Sequence, residues 1–273
     1  MEEVVLKKAS EVMDSNPPIV DKDVSLSHAL EVAERAKTDR VILTEDGRLR
    51  GILTLRNVIF KLGTVRTKMT TPTSLHASSF SSEPVVAVGP DDPLLRALRE
   101  MLEGGFTSTP VAGAGGEVLG LISRWELASL VADTPAAADL RVRDYMRTPP
   151  VTVTLQTRIL HVRQVIQQHD VSVVPVTEEG RFVGVVGVDE IARIFLKYYE
   201  LSRGEPKRIT PLKFLVAADA ITLRPPRVDP DASIAEAAAR MARERYRAVV
   251  VIDADKPVGI ISGIELVKAV LQR

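Results

Sequence analysis

VILTEDGRLRGILTLRN, residues 41–57, reads as a hairpin that runs into a helix. An apolar β-branched run is followed by an acidic-glycine turn and then a second apolar run. That run closes on Gly, two hydrophobic residues, a small or hydroxyl residue and, three places later, a carboxylate or amide. The same order recurs as PVAGAGGEVLGLISRWE (110–126), PVTEEGRFVGVVGVDE (175–190) and VVIDADKPVGIISGIE (250–265). Turn chemistry sits at equivalent places in each, at 45–47, 113–116, 178–180 and 253–255. Four copies of one pattern mark a repeat architecture.

Working outward, a stretch with helical period precedes each hairpin, at 26–36, 94–102, 159–169 and 234–245. N-cap signals stand before three of these, at Asp23 or Ser25, at Asp91-Asp92-Pro93 and at Asp231 or Ser233. A second helix is expected after each Gly step, over 56–62, 125–132, 189–199 and 264–272. Each repeat therefore reads strand, helix, strand, turn, strand, helix. Leader residues Met13, Met69, Met146 and Leu215 keep step with Gly51, Gly120, Gly184 and Gly259, the extra residues falling in turn-like stretches at 70–82 and 217–227. A unit of about 60 residues with helices on one face of its sheet leaves the other face in need of a partner, so the repeats should pair. The expected units are 1–63, 64–133, 140–200 and 207–273, with the small-residue segment 132–140 as the boundary between pairs.

Composition narrows the function. Lys plus Arg (36) equal Asp plus Glu (36), which removes the broad field of a nucleic-acid or anionic-membrane binder. The chain has no Cys, so thiolate catalysis and Cys-ligated metal sites are excluded. No stretch approaches the roughly 20 apolar residues that span a bilayer, and the start lacks the layout of a signal peptide; the cytosol is the expected location. Of the four histidines, His28 and His161 take equivalent helix positions, matched by Arg96 and Glu236, and read as tolerant surface. His76 and His169 have no ligand-spaced companion. No nucleophile–base constellation stands out, so no enzyme activity and no catalytic cofactor are expected. Phe195, Tyr198 and Tyr199 read either as a contact between modules or protomers or as buried within the chain.

With its Met leaders, the Pro-Val of Pro110-Val111 and Pro175-Val176, and the Gly-hydrophobic-hydrophobic-Ser/Thr step present in three of the four repeats, the sequence resembles the CBS-domain (cystathionine-β-synthase-type) family over nearly its whole length. The resemblance implies an α/β fold of four β-α-β-β-α repeats forming two Bateman modules, disc-like, a layout similar to the γ regulatory subunit of AMP-activated protein kinase. It also implies clefts between repeats for an adenine nucleotide (AMP, ADP or ATP) or for S-adenosylmethionine, with occupancy passed to a homodimer contact or a regulated protein partner.

The strand-to-helix junctions carry the expected chemistry. Backbone N–H groups at a helix start attract phosphate, and Thr54, Ser123 and Ser262 add hydroxyl donors. Asn57, Glu126 and Glu265 can reach ribose hydroxyls, while Arg56, Arg124, Arg40 and Arg247 supply charge. Adenine is expected against backbone near Val20, Val86, Thr152 and Val228, and the four step glycines are expected to let backbone approach the ligand. The family commonly has Asp at the last motif position; here Asp189 comes one place before Glu190, and Gly187 replaces the hydroxyl residue, so the third site is expected to be weakest. Ser or Thr followed three residues later by Glu is equally a capping box, which stabilises a helix start with no ligand at all. A scaffold with decayed sites is the rival reading.

Overall fold

The computed structural model describes residues 2–61, 75–201 and 212–271. Met69 lies outside them, as do the side chains of Tyr198 and Tyr199. Two short helices, α1 (Glu2–Leu6) and α2 (Ala9–Val12), open the chain. Repeat 1 follows as β1 (Ile19–Asp21), α3 (Leu26–Arg35), β2 (Arg40–Glu45), β3 (Arg48–Thr54) and α4 (Leu55–Lys61). After β4 (Ser81–Ser82), repeat 2 has α5 (Leu94–Gly104), β5 (Ser108–Ala112), β6 (Val118–Ser123) and α6 (Arg124–Ala132). The second half runs α7 (Val142–Tyr145), α8 (Ile159–Gln168), β7 (Val173–Glu178), β8 (Arg181–Gly187) and α9 (Val188–Leu201). Repeat 4 comprises β9 (Arg227–Val228), α10 (Ile234–Glu244), β10 (Ala248–Asp253), β11 (Lys256–Ser262) and α11 (Gly263–Leu271).

All four hairpins are antiparallel, and each slips register just before its step glycine: Leu43 faces Gly51, Val111 faces Gly120, Val176 faces Gly184 and Val251 faces Gly259. The expected first strand is complete only in repeats 1 and 4, where β1 and β9 lie parallel to β2 and β10. In repeats 2 and 3 it shrinks to single bridges, Val88 to Val111 and Val153 to Val176. The cause is written in the hairpin. Ile42 and Val250 donate their N–H groups to Pro18 and Pro226, whereas Pro110 and Pro175 hold the equivalent positions opposite Leu121 and Val185 and have no N–H to donate.

Two corrections concern the step glycines and the leaders. A Cβ at Gly120 would strike Met13 and the Asp14 carbonyl, one at Gly259 would strike Met146, and one at Gly184 would lie 2.5 Å from the Thr222 carbonyl. What approaches these glycines is therefore a leader segment and not a ligand. The leader belongs to the neighbouring repeat: Asp14 exchanges both backbone hydrogen bonds with Leu121, Arg147 with Ile260 and Thr222 with Val185. The segments at Met13 and Met146 thus cross to the module mate and stitch the pair together, but in repeat 4 the crossing segment is at Ile221 and Thr222 and not at the expected leader Leu215, whose carbonyl accepts from Ile159 N–H.

Hairpin tips also meet within a pair, through Leu49 N–H to Gly116 O and Phe182 N–H to Asp255 O (both 2.8 Å). The sheets of repeats 3 and 4 enclose Val173, Val185, Ala248, Val250 and Ile260. The larger apolar cores, however, join the pairs to each other. Helices of repeats 1 and 3 share one core, with α4 on α9, and those of repeats 2 and 4 share the other, with α6 on α10 and α11. Phe195 is buried in the first of these.

Candidate functional site

Where the four repeats meet there is a cavity of about 630 Å³, within the range that holds a ligand of nucleotide size. Two of the four strand-to-helix junctions open on it, one from each module: Thr54 and Asn57 of repeat 1, Ser262 and Glu265 of repeat 4. At the first, the Thr54 hydroxyl bonds the Asn57 side chain and accepts from Asn57 N–H (3.1 Å), and Asn57 Nδ2 donates to Ser82 (2.8 Å). At the second, Glu265 Oε2 accepts from Ser262 N–H (3.0 Å) and Ser262 Oγ (2.5 Å). These are helix caps, so the bland reading holds locally. Yet Glu265 spends one oxygen on both bonds, and among the described residues its Oε1 has no partner while the side chain lines the cavity.

The wall between the two junctions is ionic. Asp39 immediately precedes β2, and Arg247 immediately precedes β10, the equivalent position in repeat 4. They pair at 2.8 Å. Arg40 grips Asp39 through Nε (2.8 Å) and an Nη (3.1 Å), Arg124 reaches it at 3.0 Å, and Arg247 also holds Asp189 at 2.6 and 2.7 Å. Each repeat supplies a member. Arg40, Arg124 and Arg247 are at most 2% exposed and Asp39 is 6% exposed, which such charges tolerate only when mutually neutralised. Burial disfavours the Asp39 carboxylate, but Arg124, Arg40 and Arg247 outweigh it and hold its carboxyl well below the usual range. Burial pushes Arg124 down to about 9, against the pull of Asp39, which leaves it cationic at neutral pH. For Arg247 burial opposes the charge, and Asp189 and Asp39 more than offset it, raising the guanidinium above its ordinary value.

Five cationic side chains, Arg56, Arg124, Arg147, Arg247 and Lys268, face three carboxylates, Asp39, Asp170 and Glu265, around the cavity. Arg56 is engaged by Asp170 (2.6 Å) and the Val171 carbonyl (2.8 Å) of repeat 3, and its guanidinium lies over Phe60. Among the described residues the Arg147 guanidinium donates only to the carbonyls of His169 and Asp170, and Lys268 has no partner. Neither was singled out in the sequence, nor were Asp39 and the aromatic wall residues Phe106 and Tyr145. Arg147 adjoins the leader Met146, and Lys268 follows Glu265 by nearly one helical turn. Those are the only local signals they carry.

Of the expected site residues, Thr54, Arg56, Asn57, Arg124, Ser262, Glu265, Arg247 and Val86 line the cavity. Arg40 sits behind the wall, bonded to Asp39 and Thr107, and Asp189 is spent on Arg247. Ser123 and Glu126 form a second capping box away from the cavity. Val20 and Val228 are buried in the cores, and Thr152 is exposed elsewhere. At the third junction, Glu190 accepts from Gly187 N–H (2.9 Å), Thr222 Oγ1 (2.8 Å) and the Tyr246 hydroxyl (2.7 Å), so both its oxygens are occupied. Among the described residues no group of three or more His, Asp or Glu is gathered to hold a metal ion, and no helix is long and apolar enough to cross a membrane.

A curated protein of Methanocaldococcus jannaschii, itself uncharacterised, is 25% identical over 272 residues, covering 94% of this chain; the chain spans about 60% of that relative's length. Among solved structures, a protein of the same organism, described as a proposed archaeal homologue of g-AMPK, superposes with a TM-score of 0.86 at 14% identity, covering 97% of this chain and all of the other. A conserved uncharacterised protein of Pyrococcus horikoshii does so at 0.67 and 17%, covering 97% of this chain and all of that one. At such identities the likeness is one of fold. The CBS domain profile matches residues 9–63, 77–133, 142–197 and 217–272, once for every repeat traced above, and the chain belongs to the CBS-domain family.

Proposed function

We propose that the chain is a regulatory binder of an adenine nucleotide, AMP, ADP or ATP, acting by occupancy and not by catalysis. One observation carries the reading: a cation-rich cavity of about 630 Å³ onto which the Thr54/Asn57 and Ser262/Glu265 junctions both open. In this reading Asn57 and Glu265 Oε1 take ribose hydroxyls, Thr54, Ser262, Arg147 and Lys268 take phosphate, and Val86, Phe106 and Tyr145 flank the base. The excess of positive charge favours a nucleotide over S-adenosylmethionine, whose sulfonium brings a positive charge of its own. The junctions at Ser123/Glu126 and Gly187/Glu190 contribute to a scaffold role, since the first does not line the cavity and the second has both carboxylate oxygens occupied. The modules meet around the cavity, so a ligand that binds one arrangement of them better than another shifts a dimer or partner surface by that difference in affinity.

Titration calorimetry with AMP, ADP, ATP and S-adenosylmethionine tests this. Binding of at least one nucleotide is expected, weakened about tenfold or more by Lys268→Ala and by Ser262→Ala, with S-adenosylmethionine the poorest ligand. No heat at millimolar nucleotide would leave the scaffold reading in its place.

A further inference from the structure

Asp39 Oδ2 accepts hydrogen bonds from Arg40 (3.1 Å) and Arg124 (3.0 Å) and makes an ion pair with Arg247 (2.8 Å), so three guanidinium groups from three different repeats gather on one oxygen. That is the coordination guanidinium clusters give a phosphate oxygen. The carboxylate also lines the cavity, as do Arg124 and Arg247, whereas Arg40 does not. Arg124 commits one Nη to Asp39 and the other to the Thr107 hydroxyl (2.7 Å), which leaves its remaining N–H groups for another acceptor. Asp39 thus sits like a ligand in a site made for anions.

We propose that Asp39 is a tethered counter-anion occupying a polyphosphate site formed by Arg124 and Arg247, and that a ligand with two or more phosphates binds by drawing these two guanidiniums off Asp39 while Arg40 retains the freed carboxylate. The inference rests on the nucleotide reading above and narrows it to nucleoside di- and triphosphates. Displacing a carboxylate already held by three arginines takes a ligand with more charge and more acceptor oxygens than one phosphate brings. Arg40 makes the exchange tolerable, because its paired bonds through Nε and Nη keep Asp39 neutralised behind the wall. The Asp39–Arg247 pair also links repeat 1 to repeat 4, so its release is a contact through which occupancy alters the joint between the modules.

The test is calorimetry on the full chain with inorganic tripolyphosphate, and in parallel with ATP and AMP. Asp39→Asn removes the built-in anion and should tighten tripolyphosphate binding by about tenfold or more, and adding Arg124→Gln to it should abolish the gain. Wild-type protein should bind ATP more tightly than AMP. Equal or weaker tripolyphosphate binding by Asp39→Asn, or a gain that survives Arg124→Gln, overturns the proposal. A full gain together with no ATP binding to the wild type would instead remove the nucleotide reading and leave the anion site standing. Should Asp39→Asn not fold in chloride buffer, refolding in tripolyphosphate at matched ionic strength is the expected result, and failure in both sinks the idea.

Discussion

Position 190 shows how one residue type serves two ends. Glu126 and Glu265 cap their helices with a single oxygen, but Glu190 receives Gly187, Thr222 and Tyr246 and is 3% exposed. Burial first, then the Glu190 charge and hydrogen bond, raise the Tyr246 phenol far above its ordinary value. Such a group adds stability below its unfolded pKa, about 10, and loses it as pH climbs toward the folded value. Stability of the wild type should accordingly fall above about pH 10, and Tyr246→Phe should flatten that limb; phenolate absorbance against pH, native and unfolded, checks it. Glu190→Gln should cost about 1–3 kcal/mol by denaturant unfolding, since one of its three donors loses a carboxylate acceptor in a buried place. The Ser-x-x-Glu spacing was legible in the sequence at 123–126 and 262–265. That Tyr246, 56 residues away, would occupy the third copy was not, because nothing local to 187–190 points to it.

Among the elements, the hairpins explain themselves. Apolar runs, tight turns rich in glycine or acidic residues and a register slip before a glycine recur four times, and each is a local property of the chain. Even the stunted first strands of repeats 2 and 3 trace to Pro110 and Pro175, although the prolines first served only as family markers. The glycines were misread because their constraint lies in another element, the crossing leader. Gly184→Ala should therefore destabilise more than Gly259→Ala: the first puts a methyl against the Thr222 backbone carbonyl, the second against the flexible Met146 side chain. Overpacking of this kind costs about 1–3 kcal/mol, and paired denaturation curves will rank the two variants.

For the whole molecule, the decisive feature is the ionic wall contributed by Asp39 and Arg40, Arg124, Asp189 and Arg247. Asp39→Asn leaves three buried guanidiniums against Asp189 alone and should lower stability by about 3–5 kcal/mol in anion-free buffer. Because the folded Asp39 carboxyl titrates below its ordinary value, its contribution is present above about pH 4 and is lost only as pH falls through the lower folded value. The gap between wild type and variant should stay constant from pH 5 to 8 and close only in stronger acid, as urea unfolding across pH will show. By itself the sequence determined the number of repeats, the helices and hairpins of each and the caps at Ser25 and Ser233, since periodicity and turn chemistry act within a few residues. Only the tertiary structure decided that leaders cross to the neighbouring repeat, that cores join repeat 1 to 3 and 2 to 4, and that Asp39, Arg124 and Arg247 converge on one cavity. An arginine in a string of letters looks the same whether water or a buried aspartate neutralises it, and that choice is made when four separately encoded units pack around a shared centre.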